Sequence, residues 1–201
     1  MPLSKKPSRE ISASPQKKGV LRARDFARQG IHPQTVSRLV KQGELTRAGR
    51  GRYLLSKSEP SENIGLALAA AAAPQAVVCL LSALRFHNLG TQAPHEVWIA
   101  IERRNTRPRV DYPPIRIMRF SGKAFTFGIE RHEIDGIRVK IYSAPKTVAD
   151  CFRFRNKIGL DVALEALREG LMDKRFTRDE LWTAAKACRV TTVIRPYLEV
   201  L

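Results

Sequence analysis

The residues best suited to a binding chemistry lie between Gln34 and Arg52. Amides, hydroxyls and cations are concentrated in this stretch, and such side chains can hydrogen-bond to base edges in a DNA major groove and to backbone phosphates. The candidate set consists of Gln34, Thr35, Ser37, Arg38 and Lys41, followed by Arg47, Arg50 and Arg52. The chemistry that these residues predict is non-covalent binding of double-stranded DNA.

Two short helices around a glycine turn are predicted to position the first five of these residues. The first helix is expected from about Leu21 to Gln29, and Gly30 permits the turn. The second is expected to begin near Pro33, because proline suits a first helical position, and to end before Gly43. The predicted inward faces contain Ala23, Phe26 and Ala27 in the first helix and Val36, Leu39 and Val40 in the second.

The opposite face of the second helix carries the polar side chains. At about 100° per residue, the sequence turns Gln34, Ser37, Arg38 and Lys41 away from the apolar residues and leaves Thr35 on the flank. This placement is typical of a helix that enters a major groove.

A hairpin is predicted directly after this helix, from Leu45 to Leu55. The sequence Gly49-Arg50-Gly51 forms its turn, so Arg50 lies at the tip, with Arg47 and Arg52 on the strands. An arginine held in this way can enter a narrow minor groove. The alternative is a surface hairpin whose arginines are only solvated, but the helix pair before it favours a winged helix-turn-helix.

The charge distribution points to the same region. The chain has 201 residues and a net charge of +17. Residues 1–57 carry 14 lysines and arginines against 3 acidic residues, a net of +11, whereas residues 58–201 carry 22 against 16, a net of +6. A cationic excess confined to one region favours a polyanionic partner over general solubility.

Other features constrain the compartment. Three widely separated cysteines, at positions 79, 151 and 188, match no disulfide framework or zinc motif and are expected to be buried thiols in a reducing cytoplasm. The basic N-terminal residues lack the apolar core of a secretion signal and are expected to form a loose arm, or a helix from Glu10 to Lys18. The uncharged stretch from Ile64 to Leu84 is interrupted by Pro74, so a soluble core is favoured over a membrane span.

The rest of the chain is predicted to be an α+β domain. Strands are expected over residues 95–101 and 114–120, and Asp135-Gly136 predicts a hairpin between residues 131–134 and 137–142. Helical spacing follows from Ala144 to the end. The predicted organisation is a winged helix-turn-helix with a basic arm over residues 1–57, then residues 58–201 with a small antiparallel sheet and C-terminal helices.

Catalytic and metal-binding patterns are weak. Ser82 and His87 lack the glycines and the orienting acid of a nucleophile site. The candidate acids of a metal-dependent nuclease match no known spacing; they are Asp135, Asp150, Asp161 and Glu165. Lys146 and Asp150 are one helical turn apart, which favours a structural ion pair over a ligand site. No catalytic residue, cofactor or metal ligand is therefore predicted.

The segment from Phe152 to Lys157 allows two interpretations. Its alternating phenylalanines and cations could form a stacking platform for RNA or a second DNA contact. The more frequent arrangement places such phenylalanines in the core and the cations outside.

Residues 20 to 172 resemble the AbiEi family, the antitoxin and transcriptional-repressor half of type IV toxin–antitoxin systems. The resemblance rests on RARDFARQGIHPQTVSRLVKQGELTRAGRGRYLL, LLSALRFHNLGTQAPHEVWIAI and IYSAPKTVADCFRFRNKIGLDVALEALREGL, of which the last two are the more specific. It implies an N-terminal winged helix that binds repeats in its own promoter and an antitoxin-type C-terminal module that counters a nucleotidyltransferase toxin. The DNA-binding role falls on the candidate residues named above, and no catalytic residue is carried over.

The sequence thus predicts a cytoplasmic transcriptional repressor that binds double-stranded DNA in a sequence-specific manner. It is not expected to be an enzyme or to bind a membrane. Two alternative functions are also compatible with the sequence. One is a metal-dependent nuclease or nucleotide-processing enzyme that uses the C-terminal domain, and the other is a protein-interaction module.

Overall fold

The structure, a computed structural model, describes residues 19–56 and 61–200 of the chain. The described part is an α+β fold with a three-stranded sheet, a five-stranded sheet and several helices. Five of these helices follow the last strand. The predicted α+β class is therefore confirmed at this level. The basic arm, the helix considered for Glu10 to Lys18 and the predicted boundary after residue 57 lie outside the described residues.

The smaller sheet belongs to an N-terminal unit, here residues 19–56. Its elements are β1 (Val20–Arg22), α1 (Ala23–Arg28), α2 (Pro33–Lys41), β2 (Leu45–Gly49) and β3 (Arg52–Leu55). The strands pair antiparallel in the order β1-β3-β2. The helix–turn–helix–hairpin order is the one that the sequence predicts.

The first helix begins later than predicted. Leu21 and Arg22, which were expected in the helix, pair with Tyr53 and Arg52 as part of strand β1. The helix starts at Ala23 because the Asp25 carboxylate accepts a hydrogen bond from the Arg22 backbone N–H at 3.0 Å, in the manner of an N-terminal cap. The pairing partner is thirty residues away, so the local helical pattern does not reveal it.

Four buried side chains form the core of the N-terminal unit. Phe26 of α1 packs with residues of α2 and β2 in one cluster, and the full set is Phe26, Val36, Leu39 and Leu45. Ala23 and Ala27 are exposed, so the predicted inward face of α1 is wrong for both alanines. The ends of α2 are as predicted, with Pro33 in its first turn and Gly43 at a φ of +71° just after it.

The strands of the larger sheet and the helices among them are α3 (Ile64–Ala72), β4 (Val77–Val78), α4 (Leu80–Phe86), β5 (Val97–Glu102), β6 (Ile115–Phe120), α5 (Lys123–Thr126), β7 (Ile129–Ile134) and β8 (Ile137–Tyr142). The strand order in this sheet is β6-β5-β4-β8-β7. The predicted antiparallel sheet is wrong, because β5 pairs parallel with β6 and β4 pairs parallel with β8. The long connection over residues 103–114 allows β6 to run in the same direction as β5.

The two faces of this sheet bury different layers. On β5, Val97, Ile99 and Ile101 contribute to a cluster with α3 and with Val20 and Ala48 of the N-terminal unit. Trp98 and Ala100 alternate with them and join the cluster of the C-terminal helices. Those helices are α6 (Ala144–Arg153), α7 (Arg155–Ile158), α8 (Leu160–Met172), α9 (Arg178–Cys188) and α10 (Thr191–Val200). The sheet therefore separates the N-terminal unit from α8 and α9.

The β7–β8 turn links the two sheets. Asp135 and Gly136 have φ values of +47° and +74°, as a two-residue hairpin turn requires, which confirms the predicted hairpin. The Asp135 carbonyl accepts a hydrogen bond from the Val20 backbone at 3.0 Å, and its carboxylate accepts one from the Ser61 hydroxyl at 2.5 Å. One residue thus contacts the chain on both sides of the N-terminal unit.

The stretch from Ile64 to Leu84 is divided among α3, β4 and the start of α4. Within residues 19–56 and 61–200, no helix combines the length and the apolar character that crossing a bilayer requires.

Two helical glycines give a prediction about packing. A Cβ on Gly170 of α8 would lie 2.2 Å from the Phe176 ring, whereas one on Gly65 of α3 would lie 3.7 Å from its nearest neighbour. Gly170→Ala is expected to lower the free energy of unfolding by about 1–3 kcal/mol through overpacking. The matched change Gly65→Ala is expected to raise it by roughly 0.5–1 kcal/mol, since alanine favours helix. Chemical denaturation measures both, and an equal gain in the two variants would contradict the packing around Gly170.

Candidate nucleic-acid interface

The exposed face of α2 carries the predicted polar side chains. Gln34, Ser37, Arg38 and Lys41 are exposed, and Thr35 is half-buried on the flank. The buried Val36 and Leu39, only 5% and 3% exposed, hold the opposite face against the core. The orientation of the polar face is therefore set by packing within the N-terminal unit.

The start of α2 is capped by a side chain. The backbone N–H of Gln34 donates to Nδ1 of His32 at 3.3 Å, and His32 precedes the first helical residue. This contact satisfies one of the free N–H groups of the first turn. The capping histidine does not follow from the sequence, because histidine is an uncommon N-cap residue.

The hairpin after α2 presents Arg50 at its turn, between the ends of β2 and β3. Gly49 and Gly51 have φ values of +138° and +67°, which favour glycine on both sides of Arg50. The Gly51 carbonyl accepts a hydrogen bond from the Ala23 backbone at 2.8 Å. The tip is thus anchored to the start of α1, while the Arg50 side chain is exposed.

The two other arginines of the predicted set have different environments. Arg47 is exposed, whereas Arg52 is only 7% exposed. The Arg52 guanidinium packs against Gly49, where a Cβ would lie 2.5 Å from its Nη2 atom. Burial lowers the pKa of Arg52, and the nearby Asp111 carboxylate acts in the opposite direction. The Arg52 side chain is therefore covered by Gly49 and by the neighbouring loop that carries Asp111, and it does not face solvent.

The residues considered for nucleophilic catalysis have separate partners. Ser82 lies in the first turn of α4, and its Oγ accepts a hydrogen bond from the Trp98 backbone N–H at 2.9 Å. His87 Nε2, just after the end of α4, lies 2.7 Å from the Tyr142 carbonyl of β8. The structure does not bring the two side chains together as a nucleophile and base.

The acids considered for a metal site are also separated. Asp135 contacts Ser61 at the hairpin turn, and Asp150 is fully buried against Lys146. The Lys146–Asp150 ion pair is the structural pair that the sequence predicts. Over the ranges that the structure describes, no three histidine, cysteine or acidic side chains are grouped as a metal ion would require.

The two phenylalanines of the segment from Phe152 to Lys157 differ in burial. Phe152 is fully buried in the core of the C-terminal helices, whereas Phe154 is half-buried. The Arg153 guanidinium lies 5.7 Å and the Lys157 ammonium 6.0 Å from the Phe154 ring centroid. Phe152 is therefore not available for stacking on a base.

A group of exposed cations near the N-terminal unit is absent from the predicted set. It lies on the loop between β5 and β6 and consists of Arg103, Arg104, Arg107 and Arg109. The density of arginine in RRNTRPR is a signal that the sequence provides. Its proximity to the hairpin depends on the fold and is not visible in the sequence.

Comparison with known proteins gives a family and a fold. Residues 9–56 match the family model described as transcriptional regulator, AbiEi antitoxin. The crystal structure of the RV2827C protein from Mycobacterium tuberculosis is similar over 90% of this chain and 70% of that chain, with a TM-score of 0.64 and 10% identity, which shows a shared fold. No curated protein matches at a significant level. Residues 9–56 thus carry the signature of AbiEi antitoxin transcriptional regulators, which confirms the family resemblance over this segment.

Proposed function

We propose that this protein is a sequence-specific transcriptional repressor that binds double-stranded DNA through a winged helix-turn-helix in residues 20–55. The observation that carries the proposal is the exposed polar face of α2, which is followed by a hairpin with Arg50 exposed at its tip. A backbone hydrogen bond from Ala23 to Gly51 anchors this tip. The match of residues 9–56 to a transcriptional-regulator family supports it. The DNA-binding domain in this proposal extends to residue 57, and residues 58–201 form the second domain.

In this proposal α2 enters the major groove. Gln34 and Arg38 are the side chains best suited to base edges, because amides and guanidinium groups form two-point contacts with adenine and guanine. Thr35, Ser37 and Lys41 contact the sugar–phosphate backbone. The buried Val36 and Leu39 keep this face turned outward.

The hairpin acts as the wing. Arg50 enters the adjacent minor groove, and Arg47 contacts phosphates beside it. Arg52 has a supporting role, because its buried guanidinium fills the space next to Gly49 and so shapes the turn that holds Arg50.

Repression then results from occupancy of a promoter. We propose that the operator lies in the protein's own promoter, as repeats, and that the protein is the cytoplasmic antitoxin of a type IV system that counters a nucleotidyltransferase toxin. The family description of residues 9–56 supports this assignment. Toxicity of the neighbouring gene product with and without this protein tests the antitoxin role.

Substitutions on α2 test the DNA-binding surface. Arg38→Ala is expected to weaken binding to the upstream promoter duplex by about 1–3 kcal/mol and to reduce discrimination against a shuffled duplex. Lys41→Ala is expected to weaken both duplexes alike and to reduce the slope of log affinity against log salt by about 0.9, since it removes one phosphate contact. Fluorescence anisotropy titrations of the full chain at several salt concentrations measure both effects.

Lys186→Ala is the matched control for these variants. Lys186 is exposed on α9, across the larger sheet from the N-terminal unit, and its loss is expected to leave the affinity almost unchanged. A full chain that binds neither duplex in dilute buffer overturns the proposed function. Equal losses on both duplexes for Arg38→Ala overturn its role as a base reader.

A further inference from the structure

The loop between β5 and β6 is a second concentration of positive charge. Over residues 103–109 all four arginines are exposed, and within the described ranges none of them pairs with a carboxylate. Tyr112, later in the same loop, is 55% exposed. The candidate interface described above does not include these side chains.

The backbone of this loop is held in place by its own strands. The Arg119 guanidinium of β6 donates hydrogen bonds to the carbonyls of Arg103 and Asn105, at 2.7 and 3.0 Å. The Arg103 backbone N–H donates to the Phe120 carbonyl at 2.7 Å. These bonds order the backbone of the first part of the loop, whereas the exposed side chains of Arg104, Arg107 and Arg109 further along have no carboxylate partner in the described residues.

The loop also lies beside the hairpin of the N-terminal unit. Val110 packs against the apolar cluster that contains Val20 and Ala48. The Asp111 carboxylate is close enough to the Arg52 guanidinium to act on its pKa, against the larger effect of burial. Residues 110–111 thus bring the loop to the side of the molecule that carries the wing.

We propose that Arg104, Arg107 and Arg109 bind the phosphate backbone of duplex DNA next to the segment engaged by the wing. This inference rests on the proposed function and extends it to the larger domain. Exposed arginines on a loop suit phosphates, whereas reading base edges requires an element that fits the groove. The Tyr112 hydroxyl is suited to a further sugar or phosphate contact.

A triple variant tests the contact by its salt dependence. Arg104→Gln, Arg107→Gln and Arg109→Gln together remove three cations and keep polar side chains of similar length. Roughly 10- to 100-fold weaker binding near 0.1 M salt is expected, with the salt slope smaller by about 2–3. The loss is expected to be the same on the upstream duplex and on a shuffled duplex of four helical turns, roughly 40 base pairs.

A second triple variant separates contact from net charge. Arg168→Gln, Lys174→Gln and Lys186→Gln remove the same charge from exposed positions on and beside α8 and α9. This control is expected to change the slope by less than one. Equal effects of the two triple variants overturn the inference. If the unmodified chain binds, Arg38→Ala weakens it and the loop variant does not, the inference fails and the proposed function stands.

A tethered probe tests proximity to DNA directly, because its readout is the position of cleavage and not a loss of affinity. The three native cysteines are buried, so a single Arg107→Cys substitution provides the accessible thiol for an iron chelate that cleaves nearby DNA. Cuts are expected in the backbone adjacent to the stretch protected by α2. The same chelate on Lys186→Cys is expected to leave the DNA intact. Cleavage at position 107 no greater than at position 186 overturns the inference.

Discussion

Lys146→Met is expected to lower the free energy of unfolding by about 3–5 kcal/mol, because it leaves a buried carboxylate without its counter-charge. Lys146 and Asp150 are both 0% exposed, one turn apart on α6. The Cys188 thiol donates to the other Asp150 oxygen at 3.3 Å. The Lys146 ammonium also lies 4.1 Å from the centroid of the Tyr142 ring, so its charge is fully enclosed.

The deficit of this variant is expected to depend on pH. Burial raises the pKa of Asp150, and the Lys146 ammonium acts against that rise. Without Lys146 the folded-state pKa lies further above the unfolded value of about 3.9. The folded variant then holds the proton more tightly than the unfolded chain, so its stability falls as the pH rises from about 4 towards the raised pKa. The difference from the unmodified chain should therefore be larger at about pH 8 than at about pH 5.

Urea denaturation at the two pH values measures this effect. Lys186→Met is the control, since the same substitution at an exposed site is expected to change stability by less than about 0.5 kcal/mol. The double variant Lys146→Met with Asp150→Leu removes both charges and is expected to recover most of the loss. A Lys146→Met variant as stable as the control would show that the pair contributes nothing to folding.

Phe152→Ala is the second large expected loss, also about 3–5 kcal/mol. Phe152 is fully buried on α6, and its ring centroid lies 5.5 Å from that of Tyr197 on α10. Truncation opens a cavity between these helices, which close packing does not fill. Thermal or chemical unfolding measures the loss, and DNA affinity below the transition is expected to be unchanged.

Phe154→Ala provides the comparison within the same segment. Phe154 is half-buried, so a clearly smaller loss of stability is expected than for Phe152→Ala. A Phe152→Ala variant of normal stability with impaired nucleic-acid binding would restore the stacking-platform interpretation, against its position in the core.

Features set by neighbouring residues were predictable from the sequence. Pro33 and Gly43 mark the ends of α2, and Asp135-Gly136 marks the β7–β8 hairpin, because each acts through backbone geometry over a few residues. The Lys146–Asp150 pair belongs to the same class, since a spacing of four brings side chains together on any helix.

Features set by distant residues were not predictable in this way. Strand β1 forms because Leu21 pairs with Tyr53, which is distant in the sequence. The parallel pairing of β5 with β6 depends on the path of the loop between them. The candidate site shows the same limit. The exposed face of α2 follows from helical periodicity, whereas the burial of Arg52 depends on Gly49 and on a loop from the other sheet.

The Asp135–Gly136 turn makes the attachment of the N-terminal unit independent of the covalent connection that follows it. Val20 and Ser61 both hydrogen-bond to Asp135, and Val20 and Ala48 are buried in a cluster shared with the larger sheet. Hydrolysis of one peptide bond between Ser56 and Ser61 would therefore leave two fragments that complement each other, as in a split protein. For the same reason, residues 19–56 expressed alone would expose apolar side chains, such as those of Val20 and Ala48, that the larger sheet normally covers.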